Sequence, residues 1–107
     1  MNSQKIVVLI TVPSVEAGRQ IARTLLELKL AACVNILPQV HSLYTWQGEI
    51  HDDDETLLVV KTRAELFEAR LVPAVKAIHP YEVPEIIALP IQAGSTDYLD
   101  WIGNVTK

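Results

Sequence analysis

Cysteine occurs once in this 107-residue chain, glycine four times, and the aromatic residues Phe, Trp and Tyr make up only 6% of it. A single cysteine, Cys33, excludes an internal disulfide and any paired-cysteine zinc motif, and it fits a reducing, cytoplasmic setting. Four scattered glycines leave no loop able to cradle phosphates, no G-x-S-x-G elbow accompanies them, and no H-E-x-x-H helix is present. Catalytic signatures are therefore lacking, and the chain is read as a binding protein and not as an enzyme. Basic charge is also scarce: nine Lys and Arg against 13 Asp and Glu give a net charge of −4. Such a surface has no footprint for phosphate backbones, so nucleic acid is excluded as a partner. The longest apolar run, Ile6 to Ile10, is far below the ~20 residues that span a bilayer, so no membrane partner and an unexported protein are expected.

What is present is half hydrophobic and of a length suited to one domain, 1–107. Lys5 to Val12 is a β-branched run ended by Pro13, apolar at nearly every position, as in a central strand covered on both faces. Ser14 then offers an N-cap to a helix from Val15 to Lys29, whose Ile21, Ala22, Leu25 and Leu26 share a face. Within that helix Gly18 predicts a close packing contact. Ala31 to Trp46 has strand character interrupted at Pro38, turns at Gln47-Gly48 and returns through Glu55 to Thr62 as a hairpin. Sixteen extended residues reach about 50 Å, whereas a compact chain of this size is roughly 34 Å across. The hairpin must bend at Pro38 or project its tip, with Tyr44 and Trp46, toward another copy, which predicts a closed homo-oligomer. Thr62 and Glu65 have capping-box spacing for a second helix that runs to about His79 and contains Pro73, expected to kink or divide it. Glu85 to Pro90 reads as the fourth strand, and Gly94-Ser95-Thr96-Asp97 opens a short C-terminal helix. The order is that of an α+β, ferredoxin-like βαββαβ domain: an antiparallel sheet with its two crossover helices on one face.

The segment His79-Pro80-Tyr81-Glu82-Val83-Pro84-Glu85-Ile86 places an imidazole, a phenol and two carboxylates between prolines that fix its backbone. His79, Tyr81 and Glu85 are candidate site residues, with strand-borne Lys61 and hairpin-tip Trp46 able to join them as polar group and aromatic wall of a small-ligand pocket. Imidazole and thiolate suit copper, which makes His79 and Cys33 the candidate metal ligands, although Cys33 in its apolar surroundings also reads as a small buried hydrophobe. The run Asp52-Asp53-Asp54-Glu55 lacks the spacing of a calcium loop and reads as solvated hairpin. His41 and His51, on opposite arms, are minor candidates.

Ala31-Ala32-Cys33-Val34-Asn35-Ile36, Ser42-Leu43-Tyr44-Thr45-Trp46-Gln47-Gly48, Leu58-Val59-Val60-Lys61-Thr62, the His79–Ile86 segment and Tyr98-Leu99-Asp100-Trp101-Ile102 occur in this order along nearly the whole chain. Together they resemble the CutA divalent-cation tolerance proteins. The resemblance implies a PII-like cytoplasmic homotrimer with hairpins packed between subunits. It also implies weak binding of copper or another divalent cation, and an intersubunit cavity lined by Trp46, Lys61, His79, Tyr81 and Glu85, with Cys33 nearby. Some relatives carry cysteine in place of Ile10 and a second histidine in place of Ile78, so one subunit of this chain offers few soft ligands. The alternative is a PII-like regulatory trimer whose cavity holds a small anionic metabolite, with Lys61 as counter-charge.

Overall fold

A computed structural model describes residues 4–107. Strand β1 (Lys5–Val12) is followed by helix α1 (Val15–Glu27), the hairpin strands β2 (Cys33–Trp46) and β3 (Glu49–Arg63), helix α2 (Val72–Lys76), strand β4 (Ile86–Pro90) and helix α3 (Thr96–Val105). The sheet order is β2-β3-β1-β4 and every pairing is antiparallel, the expected ferredoxin-like arrangement with β1 central.

Burial alternates along β1 and along the body half of β3. Ile6, Val8, Ile10 and Val12, with Leu58 and Val60, lie under Ile21 and Leu25 of α1 and Val75 of α2 and form the core. Gly18 makes the expected close approach: a Cβ there would lie 3.0 Å from Leu58 Cδ2. Helix α1 ends two residues before the expected point. Lys29 turns left-handed at φ 60°, and the bonds Leu30 N–H to Leu25 O and Lys29 N–H to Leu26 O close a Schellman motif.

The second crossover differs from expectation in its start and in its form. Thr62 does not cap a helix; it stays in β3, where its hydroxyl donates to Leu30 O at 2.7 Å across the core. A 3₁₀ turn over Ala64–Leu66 and a wide π turn over Phe67–Leu71 then lead into α2. Pro73 falls in the first turn of α2, where a missing N–H costs nothing, so the proline divides the segment as anticipated and the wide turn takes up the mismatch.

The hairpin both bends and projects. The β2–β3 register slips between Leu37 and Val40, and Gln39 is left-handed at φ 63°. Beyond this bulge the arm continues to a two-residue turn in which Gln47 and Gly48 both have positive φ, the geometry that matches strand twist. The molecule is accordingly elongated, 46 × 26 × 22 Å.

The face of the sheet away from α1 and α2 carries Val7, Leu9, Thr11, Leu57, Val59, Lys61 and, on β4, Ile87 and Leu89. The last two are about half exposed. Helix α3 does not join the other two helices. It crosses one end of this open face, where Arg63 Nε donates to Thr106 Oγ1 at 2.8 Å and Tyr98 lies against Cys33. The opposite end, where the hairpin arm leaves the domain, holds the cleft.

Candidate functional site

The cleft has a volume of about 790 Å³. One wall is the arm, with His41, Ser42, Tyr44, Trp46 and Glu55; the other is the segment Pro80–Glu85, and Thr11 lies at its base. In register, Val40, Ser42, Tyr44 and Trp46 alternate onto the side of the ribbon that carries Glu55. The proline-bounded segment then has to be held against that side. His79 does this. It follows the end of α2, its N–H donates to Val75 O at 2.8 Å, and its ring is buried. The Tyr81 amide donates to Nδ1 at 3.0 Å, so that nitrogen is bare and the proton sits on Nε2, which donates to Thr11 O at 2.8 Å. One imidazole thus ties the loop to β1.

Tyr81 packs its ring against His79 at 4.9 Å and donates its hydroxyl to Glu55 Oε2 at 2.6 Å. Glu55 is 8% exposed, so the solvated reading of the acidic run fails at this residue. Only its position at the junction of arm and body, set by the register slip, separates it from Asp52–Asp54. No local signal in Asp-Asp-Asp-Glu distinguishes it. Asp53 is also engaged, accepting the Tyr44 hydroxyl. The minor candidates His41 and His51 do not meet within the chain: His41 makes a 2.7 Å contact with Asp54 that is exposed to water, and His51 stacks on Tyr44.

Burial, then the hydrogen bond to Glu55, push the Tyr81 phenol well above its ordinary value of 10.0. Above about pH 10 the unfolded chain has lost this proton while the native state still holds it, so stability present below pH 10 declines as pH rises. Tyr81→Phe is expected to make the fall in melting temperature between about pH 9 and 11.5 shallower than in the parent. Identical slopes would remove Tyr81 as a source of alkaline sensitivity.

Of the residues singled out in the sequence, Trp46, Tyr81 and Glu85 line the cleft and His79 supports it. Lys61 and Cys33 do not join them. They face each other across β2 and β3, and Lys61 is six residues along β3 from Glu55, about 20 Å. The Lys61 ammonium bonds Asn35 Oδ1. Cys33 is half-buried beside Tyr98, not enclosed in the core as its apolar neighbours suggested, and that phenol is raised by burial and then by Cys33. No cluster of three or more His, Cys, Asp or Glu able to hold a metal ion occurs among the described residues.

The family model described as CutA1 divalent ion tolerance protein matches residues 6–105. The chain belongs to the CutA1 family. The divalent-cation tolerance protein CutA of Thermus thermophilus is 58% identical over 96 residues, covering 90% of this chain and 92% of that protein. A chloroplastic CutA 1 protein of Oryza sativa is 51% identical over 102 residues, which is 95% of this chain and 57% of the longer plant protein. The crystal structure of CutA1 from Oryza sativa superimposes with a TM-score of 0.94 at 49% identity, covering 99% and 96% of the two chains. The Thermus thermophilus structure gives 0.92 at 55% identity, covering 96% and 99%. A CutA structure from Archaeoglobus fulgidus, described as periplasmic, gives 0.92 at 45% identity over 96% and 99%. In this CutA1 chain no helix among the described residues is long and apolar enough to cross a membrane.

Proposed function

We propose that this CutA1 chain is a homotrimeric, cytoplasmic divalent-cation tolerance protein that binds copper or another divalent ion weakly at the cleft between arm and body. It is a binding protein, with no catalytic step assigned. The observation that carries the reading is the charge of the cleft: Glu55, Glu82 and Glu85 line it and neither lysine nor arginine does. Such a lining raises the local concentration of cations. Within one subunit it leaves the anionic-metabolite alternative without its counter-charge, since Lys61 lies elsewhere on the sheet and reaches the cleft only from a neighbouring subunit.

The donor set of one subunit does not fit a tight soft-metal site. Both nitrogens of His79 are engaged, and Cys33 lies near Lys61 at the far end of the strand. A metal at His79 has to break one of those bonds, and Cys33 can join it only from a neighbouring subunit. Weak binding dominated by carboxylates is the consequence. The test is titration calorimetry of metal-free protein with Cu(II), Zn(II) and Ni(II), with light-scattering mass on the same sample. A mass of three chains and weak saturable binding that drops severalfold in a Glu82→Gln, Glu85→Gln variant are expected. A trimer without saturable binding removes the metal function.

A further inference from the structure

The cleft is far larger than a metal ion and its chemistry is mixed. Tyr44, Trp46 and Tyr81 contribute aromatic surface, while Glu55, Glu82 and Glu85 contribute acid. A hard dication gains nothing from aromatic walls and needs oxygens gathered into one shell, which no described cluster supplies. A soft ion needs imidazole or thiolate; neither His79 nor Cys33 lines the cleft, and the imidazole that does, His41, is turned to Asp54 in an exposed contact with no second soft ligand beside it. An organic cation uses both kinds of wall at once, because ammonium groups are attracted to the faces of Trp and Tyr as well as to carboxylates. The two phenols are already committed as donors, Tyr44 to Asp53 and Tyr81 to Glu55. One side of each ring is taken, Tyr44 by His51 and Tyr81 by His79, so a ligand meets the remaining side.

A second feature points the same way. Glu55 is more than nine-tenths buried, yet only its Oε2 is hydrogen-bonded. No fully buried side-chain oxygen among the described residues lacks a partner, so Oε1 opens onto the cleft it lines. An acceptor held this rigidly at the base of an aromatic cleft calls for an N–H donor. From these groups we infer that the cleft is a binding site for a small aliphatic di- or polyamine, one ammonium donating to Glu55 Oε1 under the aromatic walls and another reaching Glu82 and Glu85 near the rim. A volume of about 790 Å³ accommodates such a chain.

This inference shares the cleft with the metal reading but does not depend on it, and the two fail separately. The experiment titrates the full chain with 1,5-diaminopentane and with its permethylated bis-quaternary analogue, which has the same charge and no N–H. It uses the parent, the Glu82→Gln, Glu85→Gln variant and Trp46→Leu, and a Cu(II) titration is run alongside. Saturable diamine binding is expected, roughly tenfold weaker in each variant and roughly tenfold weaker for the quaternary analogue. Absence of saturable diamine binding, or equal affinity in parent and variants, overturns the amine site whatever copper does. Equal binding of the quaternary analogue overturns the donor role of the ammonium at Glu55.

Discussion

Leu9→Lys should release the CutA1 subunits as folded monomers. Leu9 sits in the middle of the open sheet face, with Ile87 of β4 on one side and Val59 of β3 on the other in register. The rows above and below it add Leu89 and Val7 beside Lys61, and Leu57 and Leu37 beside Thr11, and Ile87, Leu89 and Leu37 remain 41–49% exposed. A contiguous apolar strip of this kind on a soluble domain marks an interaction surface. If neighbouring subunits cover it, a lysine at its centre places an unpaired ammonium in an apolar interface. The cost is on the order of 3–5 kcal/mol, or about a thousandfold in association. In the isolated chain the same side chain reaches water, so the fold should survive. Light scattering should report one chain's mass with an unchanged far-ultraviolet circular dichroism spectrum. An unchanged mass would place the interface elsewhere.

The second large effect lies on the opposite face. Leu58 is fully buried, paired with Ile10 and Ile36 in neighbouring strands, and meets α1 at the one residue there that has no side chain, Gly18. Leu58→Ala should cost about 2–5 kcal/mol, because the void opens toward a helix that cannot fill it. Gly18→Ala alone carries two opposed terms: about 1 kcal/mol of helix propensity gained, and a methyl 3.0 Å from Leu58 Cδ2 and 3.3 Å from Val12 Cγ2. Combined with Leu58→Ala, the crowding against Leu58 disappears and the propensity gain remains. The double variant should therefore be more stable than Leu58→Ala alone by roughly 1 kcal/mol or more, a coupling that denaturant unfolding of the four proteins would measure. Strict additivity would show that the helix moves away from the strand and that the contact does not fix its height.

Sheet order, hairpin and core were legible because each rests on local periodicity. Lys5 to Val12 reads as a strand buried on both sides, and β1 is indeed central. The chain itself, however, buries fully only Ile6, Val8, Ile10 and Val12. The apolar residues on the other parity, Val7 and Leu9, are only partly covered within the chain. The length of the hairpin likewise required that it bend or project, and it does both. The start of the second crossover was misread because Thr62 and Glu65 have the spacing of a cap, while the hydroxyl that would make it is drawn across the core to Leu30. Glu55 was missed because its burial depends on a register slip between strands, which no neighbouring residue encodes. In the site, Trp46, Tyr81 and Glu85 could be foreseen from one shaped segment and one hairpin tip. That Lys61 and Cys33 lie away from the cleft within one chain required knowing how far along β3 they fall.

The bulge at Pro38 and Gln39 gives the cleft a property that its lining does not reveal. One jaw belongs to the arm beyond the bulge and the other to the loop tied down by His79, so the gap between them is set by the angle of the arm. Whatever grips the arm, a neighbouring subunit included, sets that gap, and whatever fills the gap stiffens the arm. Thermodynamic reciprocity makes the two effects equal in free energy. If a neighbouring subunit is what grips the arm, assembly and occupancy form a single linked equilibrium, and a change in either can be read from the other.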